Sequence, residues 1–322
     1  MTVSRTPVDD ATLALLLEVA GTPKPGNVDR HRDLDDLHFE AFLGGAVGAR
    51  EGLERATRGG AVGHAFERAV AGMADRAGTN TQFGCLLLLV PLLRATAAAD
   101  LSRSGVDRVT RETTVDDAVG FYRAFEHVDV AVGDPPADMA ELDVRRGSDA
   151  EPTLRDRMLT LRDVMATSAD PGDDRVPDRN AQDWVEGFPR TFRAAGWIRE
   201  DEGPIADRAA RAFIGLLASE PDTLVATSHD PETAREASGR AAELVAATDP
   251  NAEYHSPARG VPGAHAVHRI DLDAASELAD AFVDEGINPG TTADLTCAAL
   301  YVALRRGAGI RPDSRPEPGV DP

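Results

Sequence analysis

The sequence predicts an all-α fold, a single compact multi-helix domain with long surface loops. Apolar residues recur at three- and four-residue spacing in one segment after another. Runs of strand length with alternating polarity or β-branched residues are nearly absent. The chain has 322 residues, 42% of them hydrophobic, which is enough to bury a substantial core, and no shift in composition marks a second class of sequence. The helical domain is expected over residues 1–306, with a disordered, proline-rich tail at 307–322.

The first helix is expected from Asp9 to Ala20, with an apolar stripe through Leu13, Leu16, Leu17 and Ala20, and Gly21 stops it. A polar loop follows. Helices are then expected over Leu37 to Thr57, Val62 to Arg76, Thr81 to Ala99 with a kink at Pro91, and Val115 to His127. Gly133 to Thr153 and Ser168 to Arg179 are rich in Pro, Gly and Asp and read as surface loops flanking an amphipathic piece at Leu154 to Met165. The second half gives helices at Ala181 to Ala195, Pro204 to Ser219, Thr223 to Ser228, Pro231 to Ala247, Leu272 to Glu285 and Thr291 to Arg306. Thr248 to His268 holds three prolines and reads as a long loop. Its His255, His265 and His268 lack the spacing of helical metal ligands and read as surface histidines.

Composition excludes several function classes. The formal charge is -21 and the pI about 4.7, with arginine used almost everywhere in place of lysine, which reads as the solvated acidic surface of a halophilic protein. Near molar salt the Debye length is about 3 Å, so this charge steers ligands only at contact. No basic stripe exists to neutralise a nucleic-acid backbone. Cys85 and Cys297 lie in apolar helical stretches and read as buried thiols in a reducing compartment. The longest apolar run, Cys85 to Leu93, falls short of the about 20 residues a membrane span needs. With no secretory layout at the N-terminus, the expectation is a soluble cytoplasmic protein without membrane contact. A homodimer is the prior for a helical chain of this size.

Three polar constellations stand out against this background. The first surrounds the only lysine of the chain, in Thr22-Pro23-Lys24-Pro25-Gly26-Asn27-Val28-Asp29-Arg30-His31-Arg32-Asp33-Leu34-Asp35-Asp36. An ammonium is a compact point charge, whereas guanidinium is a planar fork, and the simplest demand for the former is a phosphate oxygen. Four carboxylates within eight residues, Asp29, Asp33, Asp35 and Asp36, repel one another unless cations sit among them, and such a loop suits Mg²⁺ that also bridges substrate phosphates. Asp35 or Asp36 serves equally well as a cap for the next helix. The second constellation, Gly78-Thr79-Asn80-Thr81-Gln82-Phe83-Gly84, opens an apolar helix and is a candidate phosphate or ribose clamp, with Thr79 or Asn80 as an ordinary N-cap the alternative. The third is Asn288-Pro289-Gly290-Thr291-Thr292-Ala293-Asp294-Leu295. Here Asp294 is expected in the first turn of the last helix, as a dipole partner or as a metal ligand.

These three stretches in this order resemble the triphosphoribosyl-dephospho-coenzyme A synthase family. The resemblance covers residues 22 to 295, nearly the whole chain. It implies a mainly helical transferase that moves the triphosphoribosyl group of ATP to the ribose 2′-hydroxyl of 3′-dephospho-coenzyme A and releases adenine. Where the family's middle motif resembles NTHKG, this chain has Gln82 and Phe83, so two potential phosphate contacts are absent and another acceptor stays open. On this resemblance Asp33, Asp35 and Asp294 hold Mg²⁺. Lys24, Arg30, Arg32, Thr79, Asn80, Thr81, Gly290 and Thr291 bind substrate and phosphate, and Asp29 or Asp36 is the base. Two alternatives share these parts: a Mg²⁺-dependent N-glycosidic hydrolase of the ADP-ribosyl type, and a non-catalytic nucleotide- or coenzyme A-binding regulator.

Overall fold

In the computed structural model, which describes residues 5–135, 137–170, 172, 176–248 and 261–310, the chain is built of helices and turns, with no strand among the described residues. The all-α expectation therefore holds. The chain divides into two compact units. One takes the residues up to Leu15 together with Glu40–Pro189, and the other takes Leu16–Phe39 together with the described residues from Arg190 onward. His255 and residues 311–322 lie outside the described part.

The first unit contains the start of α1 (Pro7–Ala20), then α2 (Phe39–Gly48), α3 (Arg50–Thr57), α4 (Val62–Ala77), α5 (Phe83–Ala97), α6 (Arg103–Arg111), α7 (Val115–Ala124), α8 (Glu151–Asp156), α9 (Leu161–Ala169) and α10 (Arg179–Glu186). Two 3-10 segments, Ala137–Leu142 and Val144–Ala150, fill the expected loop before α8. Helix α5 is the spine of this unit and is buried continuously from Cys85 to Leu93. Pro91 sits within it and removes the amide hydrogen that the Leu87 carbonyl would otherwise receive. The Trp184 indole donates to that carbonyl at 3.3 Å instead. Phe83 packs edge-on against Phe66 and Phe125, with centroids 5.0 and 4.8 Å away. Cys85 is buried, as is Cys297 in the other unit, and neither forms a disulfide.

The second unit contains α11 (Pro189–Glu200), α12 (Ile205–Ser219), α13 (Thr223–Ser228), α14 (Pro231–Ala246), α15 (Ala264–Val267), α16 (Leu272–Asp284) and α17 (Gly290–Arg305), with the end of α1 and the polar loop. Helix α17 is its spine, buried from Leu295 to Leu304. Ala308 is buried too, and Arg208 donates to the Gly309 carbonyl, so the start of the expected tail is tied down.

Several local expectations need correction. The expected helix at Leu37 to Thr57 is two helices with a turn at Ala49 between them. Gly48 there approaches the Gly72 carbonyl so closely that a Cβ would lie 2.0 Å from its oxygen. The expected Ala181 to Ala195 helix breaks at Gly187 and Phe188, both in the left-handed region, ahead of Pro189. Likewise Leu154 to Met165 is split at Met158, at φ 52. Helix α6 was not expected, because it buries only Gly105, Val106 and Thr110 and carries too few apolar residues for a periodic signal. On α1 the stripe Leu13, Leu16, Leu17 and Ala20 is only half-buried; the buried face runs through Ala11, Ala14, Leu15, Glu18 and Val19. That rotation brings an acidic residue into the interior.

Candidate active site

The polar loop is organised by Asp29, whose side chain is fully buried. Its Oδ2 accepts from the Thr22 hydroxyl at 2.8 Å, the Lys24 amide at 3.2 Å and Arg32 Nη1 at 3.1 Å, and its Oδ1 accepts from the His31 amide at 2.8 Å. A carboxylate so engaged and fully buried shapes the loop and presents no exposed oxygen to a substrate proton. Arg32 is tied down further by Asp280 Oδ1 at 2.6 Å and Ser276 Oγ at 2.5 Å.

Lys24 is 1% exposed. Its Nζ donates to Glu18 and to Asn27 Oδ1, the latter at 2.8 Å. Burial pushes the Glu18 carboxyl above its ordinary value, while the Lys24 charge beside it pulls the other way. The lysine that the sequence marks as a phosphate ligand is therefore an interior group.

The loop meets the start of α17 through two contacts. Asn27 Nδ2 donates to Asn288 Oδ1 at 2.8 Å, across 261 residues of sequence. Gly26, at φ +70, lies so near the backbone of Ile287 that a Cβ would sit 1.8 Å from its carbonyl oxygen, so only glycine serves there. At α17 itself Thr292 offers its amide and its hydroxyl to Asp222 Oδ2, each at 2.7 Å. Asp222 Oδ1 caps α13 through the amides of Leu224 and Val225, at 2.8 and 3.2 Å. Thr291 is buried, and its hydroxyl oxygen accepts from the Leu224 amide at 3.3 Å. The anion at this helix start is thus the protein's own carboxylate. Asp294, expected in the first turn, stands just past it, because α17 begins at Gly290.

The middle motif belongs to the first unit. Gly78 ends α4 in the left-handed region at φ 73, and Asn80 Oδ1 accepts from the first amide of α5, Phe83, at 3.2 Å, while the N-cap position itself is Gln82, whose side chain makes no cap bond. Gln82 is 1% exposed, and its Nε2 reaches the Leu15 carbonyl at 3.4 Å. Thr81 Oγ1 and Gln82 Oε1 are buried without partners, and a Cβ at Gly45 would lie 2.5 and 3.2 Å from them.

Of the three cations expected on phosphate, Lys24 and Arg32 are engaged internally. Arg30 is exposed and has no ion pair among the described residues. Asp35 and Asp36 are exposed on the same loop, while Asp33 Oδ1 accepts from the Phe39 amide at 2.7 Å and so caps α2. Among the described residues no three His, Cys, Asp or Glu side chains gather as a metal site, so Asp33, Asp35 and Asp294 do not form a three-carboxylate cage. Sequence reasoning missed Glu18, Asn27, Asp222 and Asn288 as the groups that hold the site. Asp222 was visible as a cap before Thr223, and Asn27 and Asn288 lay within the quoted motifs, but their partners are set only by folding.

The sequence profile of the ATP:dephospho-CoA triphosphoribosyl transferases (CitG) matches residues 4–311. Among solved structures, a chain from Archaeoglobus fulgidus, described as a candidate triphosphoribosyl-dephospho-CoA synthase, superposes with a TM-score of 0.60. The two are 21% identical, and the match covers 83% of this chain and 100% of that one, a likeness that speaks for the fold. No curated protein matches the chain significantly. No described helix is long and apolar enough to cross a membrane.

Proposed function

This chain belongs to the ATP:dephospho-CoA triphosphoribosyl transferase family and is a transferase of that reaction, and we propose that its 22–37 loop and the Asn288 turn handle the ATP. The observation that carries the reading is the Asn27–Asn288 bond at 2.8 Å. It joins two polar segments that the sequence keeps far apart, on a loop that also exposes Arg30, Asp35 and Asp36.

The reaction leaves the triphosphate intact and breaks the bond between ribose C1 and adenine, with positive charge growing on the sugar. Such chemistry needs cations to hold the phosphates and a carboxylate to take the acceptor's proton. Arg30 is the proposed triphosphate ligand, its fork matching phosphate oxygens. Asp36 is the proposed base for the ribose 2′-hydroxyl of 3′-dephospho-CoA, since Asp29 is taken up by the loop. The bonds that Lys24 makes to Glu18 on α1, Asp29 to the His31 amide and Arg32 to Ser276 on α16 keep these exposed groups on a fixed backbone.

Mg²⁺ commonly uses only one or two protein carboxylates and completes its shell with phosphate oxygens and water. Asp35 fits that smaller requirement: it is exposed and has no partner among the described residues. When bound, the ion would neutralise phosphate charge. The acidic composition and the two reduced, buried cysteines support a cytoplasmic setting with concentrated salt.

The test is incubation of the purified protein in molar KCl with ATP, Mg²⁺ and dephospho-CoA, with free adenine and the coenzyme adduct followed by mass spectrometry. Adenine together with the adduct is expected. Adenine alone would point to hydrolysis or another acceptor, and no adenine would favour a binding protein. Arg30→Ala should raise KM for ATP about tenfold or more, the cost of one charge-assisted contact.

A further inference from the structure

Lys24 does more than pair with Glu18. An ammonium has three donors and no acceptor, so the atom of Asn27 that faces it must be Oδ1, and Oδ1 lies 2.8 Å from Nζ. The other end of the Asn27 amide is thereby assigned. Its Nδ2 faces Asn288 and donates to Oδ1 there at 2.8 Å. Asn288 then has only its own Nδ2 left to offer. That group has no partner among the described residues, and Asn288 is only half-buried, which leaves its Nδ2 for a ligand. Donor and acceptor alternate from Lys24 through Asn27 to Asn288, in a direction set by one buried charge.

The turn carrying Asn288 is held on both sides. The Ile287 amide donates to the Phe282 carbonyl at 2.9 Å, the Gly290 amide donates to the Asn288 carbonyl at 2.9 Å, and the Gly286 carbonyl lies 3.0 Å from His229 Nε2. An amide whose orientation and backbone are both fixed is a preorganised donor. With Nζ buried and shared between Glu18 and Asn27, Lys24 has no exposed face to offer a phosphate directly.

We propose that Lys24 is a positioning residue, acting through Asn27, and that it presents the Asn288 side-chain amide as a hydrogen-bond donor to an oxygen of the bound nucleotide. This rests on the reading of the loop as the ATP site. An asparagine free to flip would also offer Oδ1 to the phosphates; the buried lysine removes that state.

The experiment measures binding of ATP with Mg²⁺, and of tripolyphosphate, by calorimetry on the full chain, alongside thermal unfolding. Asn288→Ala should weaken ATP binding about tenfold or more while unfolding stays cooperative, the melting temperature falling by no more than the loss of the one Asn27 bond explains. The double variant Glu18→Gln/Lys24→Met removes the buried pair together, leaves no charge stranded, and should weaken ATP binding severalfold. Because Lys24 acts through Asn288, the same double change made on top of Asn288→Ala should cost nothing further. A merely structural role would give additive losses. Should the double variant fail to unfold cooperatively, Asn27→Asp carries the test: aspartate accepts from Lys24 but cannot donate, so Asn288 must turn its amide inward and affinity falls as in Asn288→Ala. Loss shared by ATP and tripolyphosphate would assign a phosphate oxygen, and loss with ATP alone a ribose oxygen. Wild-type affinity in Asn288→Ala, additive losses in the cycle, or a wild-type protein that binds neither probe at millimolar concentration would overturn the proposal. Binding is read here without turnover, so a chain that binds ATP but releases no adenine would defeat the transfer reading alone.

Discussion

The loop of the second unit and the middle motif of the first are both polar segments next to a buried helix, yet they treat their polar groups in opposite ways. In the loop, Lys24 meets Glu18 and Asn27, and Asp29 collects four donors. In the middle motif, Thr81 Oγ1 and Gln82 Oε1 are enclosed with nothing to bond. A satisfied buried network fixes one conformation, whereas an unsatisfied one costs stability. Substitutions in the two segments should therefore differ in size and even in sign.

The largest effect is expected from Lys24→Met, which leaves Glu18 buried without its counter-charge. Chemical denaturation at neutral pH should show a loss of about 3 to 5 kcal/mol. Asp222→Ala comes next, because one carboxylate serves two helix starts, at α13 and α17. Each lost cap costs about 1 to 2 kcal/mol, so a loss of about 3 kcal/mol is expected in the same assay.

A pH series sharpens the contrast at Glu18. Burial raises its carboxyl above the ordinary 4.5, so the folded chain holds this proton more tightly than the unfolded one. Its contribution is complete below that ordinary value and is lost as pH rises through the raised one. Glu18→Gln, which cannot titrate, should therefore gain on wild type as pH rises from about 4.5. A stability difference independent of pH would remove the assigned shift.

The smallest change is predicted for Gln82→Leu. It deletes an unpartnered carboxamide oxygen and a long 3.4 Å bond, so stability should stay within about 1 kcal/mol of wild type or rise. A loss as large as that of Lys24→Met would mean the two segments are not different in kind.

Much of the helical order was legible. Thr223 to Ser228 agrees with α13 to the residue, and the starts of α4, α7, α14 and α16 agree as well, because each begins at a cap or an apolar period that is local in sequence. Boundaries failed where a distant backbone intruded, as at Gly48 against Gly72, or where too few apolar residues marked a helix, as in α6. Within the site, the motifs were visible but their directions were not. Lys24 reads as a ligand because a lone lysine among arginines asks for a reason, and the reason lies on the buried face of α1, which the apolar stripe placed on the wrong side.

By itself, then, the sequence determined the fold class, most of the helices and the polar segments from which the site is made, since periodicity, caps and composition are properties of neighbouring residues. The tertiary structure alone decided which charges are used inside the protein and which remain for a ligand. Glu18 meets Lys24 only once α1 is rotated into place, Asn27 meets Asn288 across 261 residues, and Asp222 occupies the helix start that an anion would otherwise find open. A charge finds its partner through space, and burial sets how strongly that partner is needed.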